Sequence, residues 1–408
     1  MFLLSFCLLL SAKLVASAEE PSRLDKPPLY WRTCDFLNHN GYPCETYTVQ
    51  TADNYLLTMH RIPHGKNSTH DKATQRPVVY LQHGIMDSTV SWVINEPNVS
   101  LGYLLADRGY DVWMGNNRGN TYSDKHTTLT KKDNQFWEYS FHELGEYDLP
   151  ALIEFVVKTT GVKEVSYVGH SQGVTQAVVA FSRNQELASK IKVFVALAPV
   201  VHLGHAKGLL RFLSNENLIV KWIMDLLGVR DFLPNNFLMK YLGSKVCGRK
   251  VSDKVCADPL FLIVGSNTGN IDLSRMPIYL THTPAGTSMR SLWHFSQLIQ
   301  TGTFRQYDYG WNGNIAHYNQ PTPPEYNIAD MKVPTAIFAG DLDWLATPRD
   351  VRDYLRHGVP NLLAYQFDDN WNHMDYIWAW DAPEKIYNKV LQIVGGEIPE
   401  DIDVRKSK

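Results

Sequence analysis

Residues 165–182 of the chain read VSYVGHSQGVTQAVVAFS. An apolar run at Val165–Val168 is followed by a G-x-S-x-G sequence at Gly169–Gly173 and then by residues with helical periodicity. A G-x-S-x-G between a strand and a helix is typical of a nucleophile elbow, a tight turn that presents a serine hydroxyl at the end of a strand. We therefore predict that Ser171 is a nucleophile and that the N–H dipoles of the following helix face developing negative charge.

The alternation of apolar strands and helices continues on both sides of this stretch. Continuous apolar strands that alternate with helices such as Leu144–Thr159 predict a mostly parallel sheet with helices on both faces, which is the α/β class. Near the start of the chain, Glu45–Thr51 and Asn54–Ile62 alternate polar and apolar residues and predict an antiparallel hairpin. The predicted buried strands are Pro77–Leu81, Tyr110–Met114, Glu164–Val168, Val193–Leu197, Val333–Phe338 and Leu362–Phe367.

The strand pattern stops after Pro199 and resumes at Val333. We interpret residues 202–327, which lack a clear strand, as an inserted, mainly helical cap or lid domain. The core would then consist of a first part at 45–201 and a second part at 328–408. Apolar residues at helical spacing in the first half of the insertion have two interpretations, a small core of the cap itself or an apolar lid over a site.

Residues 1–18 have the pattern of a secretory signal peptide. Residues 2–10 are nearly all apolar, and Ala16–Ala18 forms a small-x-small cleavage site. The apolar run is too short to span a membrane, and no other window resembles a transmembrane segment. We therefore predict a secreted or lysosomal protein, with residues 19–44 as a leader to the folded core.

Four cysteines follow the signal peptide, an even number that suits an oxidising compartment. Three pairings are possible among Cys34, Cys44, Cys247 and Cys256. The sequence-local pairing, Cys34 with Cys44 and Cys247 with Cys256, closes two loops of about ten residues. Free buried thiols are the alternative.

Asn67 and Asn98 each begin an Asn-x-Ser/Thr triplet and are candidate glycosylation sites.

The overall charge argues against nucleic acid as a partner. With 39 Lys and Arg against 42 Asp and Glu, the net charge is -3, so the chain has no polyelectrolyte reason to bind nucleic acid.

A serine nucleophile needs a base, and the base needs an orienting acid. After an elbow of this kind the chain order is serine, acid, histidine. The acid belongs on the loop after a late strand, where Val333–Ala339 is followed by Gly340, Asp341, Leu342 and Asp343. We favour Asp343, which lies three residues beyond the strand-ending glycine, and keep Asp341 as the alternative.

Only two histidines, His357 and His373, follow the candidate acids. His357 precedes Gly358 at a predicted helix end, where a cation interacts favourably with the helix dipole, so we assign it a structural role. His373 follows the predicted strand Leu362–Phe367, and the C-terminal end of a strand is where an active-site loop is expected. We therefore predict that His373 is the base.

The oxyanion of the tetrahedral intermediate needs two N–H donors. One is the backbone of Gln172, directly after the nucleophile, and the other is expected from the loop at His83–Met86, most simply the backbone of Ile85.

His202 and His205 are three residues apart with no third ligand placed in sequence, so we predict no metal. The three side chains of the proposed catalytic set need no organic cofactor.

The chain resembles the acid lipases of the gastric and lysosomal type, within the α/β-hydrolases, from about Tyr47 to Val394. Several strings carry the resemblance, and together they are more specific than one G-x-S-x-G. The strings are LQHG at 81–84, GYDVW at 109–113, NRGNT at 117–121, YDLPA at 147–151, YVGHSQG at 167–173, PAGTS at 284–288 and NHMD at 372–375.

The resemblance implies an α/β-hydrolase fold with a mobile lid, the catalytic residues Ser171, Asp343 and His373, and oxyanion donors at Gln172 and Ile85. It also implies a disulfide in the cap between Cys247 and Cys256, whereas a Cys34–Cys44 pair is not one that the whole family is known for. Many relatives read Gly-x-Asp-x-Leu-Ala-Asp around the acid. Here Asp341 stands for the glycine and Thr347 for the later aspartate, which keeps Asp343 and adds a carboxylate nearby.

The function implied is a secreted or lysosomal lipase that hydrolyses triacylglycerols, sterol esters or both at an oil–water or membrane interface. Two alternatives belong to other classes. A non-catalytic lipid-binding protein would be favoured by loss of a catalytic residue, and none is lost. A small-ester carboxylesterase is disfavoured by the long predicted cap.

Overall fold

The structure, a computed structural model, describes residues 31–68, 75–215, 230–232, 260–266 and 269–403. The strands in these residues are β1 (Glu45–Gln50), β2 (Tyr55–Ile62), β3 (Val78–Gln82), β4 (Asp111–Gly115), β5 (Lys125–His126), β6 (Val165–His170), β7 (Ile191–Leu197), β8 (Asp231–Phe232), β9 (Thr287–Ser288), β10 (Thr335–Gly340) and β11 (Leu362–Asp368).

Within the described residues, nine strands form one sheet in the order β1-β2-β4-β3-β6-β7-β10-β11, with β5 also paired to β2. The pairs from β4 to β11 are parallel, and the pairs that involve β1, β2 or β5 are antiparallel. Every residue of β3, β4, β6 and β10 is buried, so both faces of the central sheet are covered. The predicted α/β class and the predicted hairpin are confirmed.

Helices follow most of the parallel strands, as the alternating pattern predicts. The labelled helices are α1 (Thr33–His39), α2 (Leu101–Asp107), α3 (Leu149–Thr160), α4 (Gln172–Arg183), α5 (Gln185–Ala188), α6 (Gly208–Asn215), α7 (Met276–His282), α8 (Met289–Thr301), α9 (Trp311–Tyr318), α10 (Asp375–Trp378) and α11 (Asn388–Gly395). Shorter helical segments are Thr89–Trp92, Asn134–Trp137, Phe141–Glu143, 260–264, Leu273–Arg275, Ile328–Asp330, Pro348–Asp350 and Arg356–Gly358, and the π-helical turns are Leu144–Asp148, Val351–Leu355 and Pro383–Tyr387.

The helix predicted at Leu144–Thr159 begins with the π-helical turn and continues as α3. Pro150 has no N–H to donate to the preceding turn. Because that hydrogen bond is absent in any case, the helix can widen into a π-helical turn here at little cost. No helix in the described part of the chain is both long and apolar enough to cross a membrane.

Helix α1 lies within residues 19–44, the range interpreted as a leader. Its Phe36 and Leu37 are part of the buried core. A disulfide joins Cys34 in α1 to Cys44 just before β1, with the two Cα atoms 5.4 Å apart. Cys247 and Cys256 lie outside the described residues, as does the predicted signal peptide.

Residues 202–327 lie between β7 and β10, which are neighbours in the sheet. The described part of this range contains α6 to α9 and one short antiparallel ladder, β8 with β9. The range in which the sequence shows no clear strand therefore does contain one short ladder. A ladder of two residues on each side is too short to produce a period in the sequence.

A buried ion-pair cluster fixes the loops around the N-terminal hairpin. The Arg118 guanidinium is 2.6 Å from Asp53 in the β1–β2 turn and 2.6 Å from Asp148 before α3. It also lies over the ring of Tyr55, 3.9 Å from the centroid. These contacts tie the loop after β4 to two other elements, and this loop in turn supports the site described next.

Candidate active site

Ser171 occupies the sharp turn between β6 and α4, with φ +55° and ψ −118°. A non-glycine residue in this region costs on the order of 1–3 kcal/mol, so the surrounding structure must hold it. Its N–H donates to the carbonyl oxygen of Leu197 at 3.1 Å, which fixes the turn to the end of β7. The strain falls on the serine itself, and it places the side chain at the C-terminal edge of the sheet.

The two glycines of the G-x-S-x-G are needed for space. A Cβ on Gly173 would lie 2.4 Å from the carbonyl oxygen of Gln82, and one on Gly169 would lie 2.9 Å from the backbone of Gly173. Helix α4 therefore packs directly against the end of β3. The close approach brings the elbow beside the loop that follows β3, which is where the second oxyanion donor is predicted.

The structure brings Ser171, His373 and Asp343 together from three different strand ends. His373 Nε2 is 2.8 Å from Ser171 Oγ, and His373 Nδ1 is 2.8 Å from Asp343 Oδ2. All three residues are buried. Because an ionised carboxylate only accepts, Nδ1 carries the proton and Nε2 is the acceptor for the serine hydroxyl. This is the tautomer that a base needs in order to take the Ser171 proton.

The second oxygen of Asp343 is held by the backbone. Its Oδ1 accepts the N–H groups of Leu345 at 2.8 Å and Ala346 at 2.9 Å. These donors fix the carboxyl plane and leave Oδ2 for the imidazole. The buried acid is thus hydrogen-bonded on both oxygens, as a buried charge requires.

The alternative acid and the alternative histidine, Asp341 and His357, occupy other positions. Asp341 Oδ1 accepts the N–H of Asn370 at 2.7 Å, so it supports the loop that carries His373 and is not its hydrogen-bond partner. His357 is exposed, and its Nδ1–H donates to the carbonyl oxygen of Arg352 at 2.8 Å near a helix end. The hydrogen bond to the Ser171 hydroxyl is made by His373 instead.

His170 holds the backbone of His373. The sequence predicts that His170 and His83 flank the site and pack or hydrogen-bond around it, but it does not identify this partner. The His170 Nε2–H donates to the His373 carbonyl oxygen at 2.9 Å, and the two rings are 5.0 Å apart. Burial, and next the neighbouring His373, lower the pKa of His170 to about 3. His170 therefore stays neutral in mildly acidic solution, and an additional positive charge beside His373 is avoided.

The loop after β3 lies directly across from the nucleophile. A Cβ on Gly84 would lie 3.0 Å from Ser171 Cβ and 3.5 Å from Ser171 Oγ, so only glycine allows this approach. Ile85 is the next residue of this loop. Gln172 is the first residue of α4, where a backbone N–H has no acceptor within the helix. The two predicted oxyanion donors are therefore the residue that follows Ser171 and the residue that follows Gly84, the glycine that faces Ser171.

His83 fixes the orientation of this loop. Its Nδ1–H donates to the Gly84 carbonyl oxygen at 2.7 Å, and its Nε2 accepts the Asn117 N–H at 3.1 Å. Burial lowers the pKa of His83 to about 4. The neutral form is the one this arrangement needs, because a protonated ring would have no acceptor nitrogen.

A second anchor of the loop comes from the predicted cap. Met86, next to Ile85, has φ +56°, and its carbonyl oxygen accepts the N–H of Ala285 at 2.6 Å. Asp87 Oδ1 accepts the hydroxyl of Thr283 at 3.1 Å. Sequence reasoning missed Asp87. Two sequence features could have pointed to this anchor: the single acid in this loop and the string at 284–288. Neither feature by itself reveals a role in the site.

Asp87 is a buried carboxyl on which three donors converge at a single oxygen, Oδ1. The donors are the Ser88 N–H at 2.8 Å, the Ser91 hydroxyl at 2.6 Å and the Thr283 hydroxyl. Burial raises the pKa of Asp87 from 3.8 to about 6. An acid protonated on Oδ2 keeps all three of these bonds, so the neutral form fits the site.

We expect Asp87→Asn to remove a pH dependence of stability. Between pH 3.8 and about 6 the folded protein holds a proton on Asp87 that the unfolded chain releases. This contribution to stability is complete below that window and is lost as the pH rises through it, by roughly 3 kcal/mol. Asn keeps the accepting oxygen and does not titrate. Urea unfolding of both proteins across the window measures the difference.

The control is Asp87→Ala, which leaves three buried donors without an acceptor and should be less stable than Asp87→Asn at every pH. Parallel stability curves for the native protein and Asp87→Asn would contradict the assignment of a neutral Asp87.

Other predicted sites lie apart from this cluster. Asn67 and Asn98 are exposed, as glycosylation requires. In the parts of the chain that the structure describes, no group of three or more His, Cys, Asp or Glu is arranged to hold a metal ion. His205 Nδ1 is 2.7 Å from Asp350 Oδ1, and His202 stacks on Tyr354.

Two family models match the sequence. One, described as alpha/beta hydrolase fold, covers residues 77–379, and one, described as partial alpha/beta-hydrolase lipase region, covers residues 33–96. Among solved structures, a carboxylesterase from Bacillus subtilis has a TM-score of 0.50 at 12% identity and covers 90% of this chain and 96% of its own. An alpha/beta hydrolase fold protein from Nakamurella multipartita has a TM-score of 0.50 at 13% identity, covering 86% and 99%. At these identities the structures support the fold alone.

Curated relatives are similar along nearly the whole chain. Gastric triacylglycerol lipase of Bos taurus is 43% identical over 392 residues, which are 96% of this chain and 95% of the relative. Lysosomal acid lipase/cholesteryl ester hydrolase of Homo sapiens is 42% identical over 369 residues, 90% and 92% of the two chains. Lipase member M of Homo sapiens is 41% identical over 385 residues, 94% and 90% of the two chains.

Proposed function

Because the chain belongs to the α/β-hydrolase family of the gastric and lysosomal acid lipases, we propose that it hydrolyses lipid esters through an acyl-enzyme on Ser171. The observation that carries the mechanism is the unbroken hydrogen-bond chain from Ser171 Oγ through His373 to Asp343. A non-catalytic lipid carrier would need neither this series of hydrogen bonds nor a serine with a strained backbone.

The first half of the reaction forms the acyl-enzyme. Ser171 Oγ attacks the ester carbonyl carbon while His373 Nε2 takes the hydroxyl proton. The carbonyl electron pair moves onto oxygen, and the N–H groups of Gln172 and Ile85 donate to the resulting oxyanion. When the intermediate collapses, the bond to the alcohol oxygen breaks and His373 returns the proton to the leaving alcohol.

The second half releases the fatty acid. A water molecule attacks the acyl carbon, His373 again takes the proton, and the bond to Ser171 Oγ breaks as that oxygen is reprotonated. Asp343 accepts from His373 Nδ1–H throughout, which stabilises the imidazolium that forms twice in the cycle. The two halves use the same base, so one histidine serves both.

We further propose that residues 202–327 form the cap over this site. Two contacts support a close relation: His373 N–H donates to the Val264 carbonyl oxygen at 3.4 Å, and Ala285 N–H donates to Met86. The resemblance to the family supports a disulfide between Cys247 and Cys256 in the same region. An apolar cap fits a long acyl chain better than a small soluble ester.

The proposed location is outside the cell or in the lysosome, reached through a signal peptide at residues 1–18. The Cys34–Cys44 disulfide supports an oxidising compartment, and exposed Asn67 and Asn98 are accessible to glycosylation. The purified protein should therefore lose mass on treatment with an N-glycosidase, and a protein without residues 1–18 should stay in the cell.

The substrate class is tested by comparing emulsified long-chain triacylglycerol, long-chain cholesteryl ester and a short soluble ester at acidic and at neutral pH. We expect a higher kcat/KM for at least one long-chain ester than for the soluble one. Comparable values for short and long esters would favour a small-ester carboxylesterase. Binding of a long-chain lipid without turnover would favour a lipid carrier.

A further inference from the structure

A basic cleft of about 470 Å³ lies beside the proposed catalytic acid, between the start of α6 and the segment that follows Asp343. The cationic side chains that line it are Lys207, Arg211, Arg349 and Arg352. Arg211 is committed to the fold, because its guanidinium donates to the Ile299 carbonyl oxygen at 2.7 Å. The other three cations are exposed to solvent.

Among the residues that the structure describes, few carboxylates offset these charges. Asp350 is buried and already contacts His205. Asp353 is 3.0 Å from Arg352 and 3.9 Å from Arg349, and both arginine side chains remain more than half exposed at 59% and 64%. No described residue forms an ion pair with Lys207. Counted over the described residues, the cleft therefore carries an excess of positive charge.

Exposed apolar side chains stand next to the cations. In α6, Leu209 and Phe212 lie three residues apart and are 38% and 63% exposed, and Leu262 is 55% exposed. The two segments touch, since a Cβ on Gly208 would lie 2.4 Å from the Leu262 carbonyl oxygen. Helix α6 thus begins at the basic cleft and also carries exposed apolar side chains, and we define the cations of the cleft together with Leu209, Phe212 and Leu262 as the rim face.

The rim face adjoins the chemistry directly. Lys207 N–H donates at 2.8 Å to the carbonyl oxygen of Trp344, the residue after Asp343. The Gly208 backbone packs on the Trp344 ring, and Trp344 N–H donates at 3.3 Å to the Val264 carbonyl oxygen. A surface that rests on the rim face is therefore positioned beside the loops that carry Asp343 and His373.

We infer that the rim face docks the enzyme onto lipid surfaces that carry anionic headgroups, an inference that rests on the proposed lipase function. Apolar side chains enter the headgroup region of a lipid layer, and adjacent cations bind its phosphates or carboxylates. A site for a free anion would instead use buried donors aimed at one point. Here the cations are spread over an open cleft and apolar side chains accompany them, which is the pattern of an interfacial surface.

The test uses Ser171→Ala protein, so that binding is measured without hydrolysis. Flotation compares vesicles of phosphatidylcholine with vesicles that also contain phosphatidylglycerol. We expect tighter binding to the anionic vesicles. The triple change Lys207→Gln, Arg349→Gln and Arg352→Gln should weaken that binding by about fivefold per cation, on the order of 100-fold in total, and leave binding to neutral vesicles unchanged. Phe212→Ser should weaken binding to both.

A matched control is the double change Lys158→Gln and Lys163→Gln. Both lysines are exposed and precede β6, whereas Ser171 follows it, so they lie at the opposite edge of the sheet. This variant should bind anionic vesicles as tightly as its parent. Equal loss in the control and in the triple variant would overturn the inference, as would equal binding of the parent to both kinds of vesicle. Displacement by inorganic phosphate at low concentration would indicate an ion site instead.

Failure of the inference is separable from failure of the proposed function. With Ser171 restored, the triple variant should hydrolyse a soluble ester at the parental rate, which also shows that it folds. Unchanged vesicle binding with normal hydrolysis would overturn the rim face alone. Selective anionic binding without hydrolysis of any ester would overturn the lipase function and leave the rim face as a lipid-binding surface.

Discussion

Ser171→Ala is expected to lower kcat for ester hydrolysis by at least about 10⁴-fold, because no other group can form the acyl-enzyme. The residual rate would come from substrate binding and from the N–H donors of Gln172 and Ile85. A soluble chromogenic ester is the substrate of choice, since it reports the chemical step without adsorption to an interface. Removal of the hydroxyl deletes only its hydrogen bond to His373 Nε2 and should leave the fold intact.

Ser182→Ala is the matched control for this change. Ser182 is also buried, in the same helix that Ser171 precedes, and its hydroxyl donates to the Val179 carbonyl oxygen at 3.2 Å. It should keep nearly full activity. A Ser171→Ala protein with full activity would contradict the assignment of the nucleophile.

Asp343→Asn is expected to reduce kcat by about 10⁴-fold with little change in KM. Asn retains an oxygen for the N–H groups of Leu345 and Ala346, so its amide nitrogen faces His373. Two donors cannot share one hydrogen bond, and His373 would adopt the tautomer with the proton on Nε2. That tautomer cannot accept the Ser171 proton. Steady-state kinetics on the soluble ester measure both parameters.

The neighbouring acid provides the comparison. Asp341→Asn keeps an oxygen acceptor for the Asn370 N–H and changes no group in contact with the His373 ring, so we expect a less than tenfold effect on kcat. The opposite order, a large loss for Asp341→Asn and a small one for Asp343→Asn, would exchange the roles of the two acids.

The elbow could be predicted from sequence because its requirements are local. A strand, two glycines at fixed spacing and a helix suffice to define the turn at Ser171. The structure adds why the glycines are needed: Gly173 contacts the end of β3, which is far away in sequence. The predicted strands agree with the observed ones to within a few residues, because fully buried strands read as continuous apolar runs.

The supports of the site could not be predicted in the same way. His170 acts on His373 through a backbone carbonyl more than 200 residues later. Asp87 collects donors from its own loop and from Thr283, which is 196 residues later in the chain. Such contacts depend on tertiary packing and leave no periodic signal. The β8–β9 ladder was not predicted for a related reason: its two strands are far apart in sequence, and each has only two residues.

The central claim, that Ser171 is the nucleophile of a lipid ester hydrolase, is tested most directly by a long-chain alkylphosphonate ester, which phosphonylates an activated serine. The account predicts that the native protein gains one phosphonate and that peptide mass spectrometry places it on Ser171. The rate of long-chain ester hydrolysis should fall in proportion to the fraction of protein that is labelled. Asp343→Asn should react far more slowly and Ser171→Ala not at all. Label on another residue, or full activity after labelling of Ser171, would contradict the account.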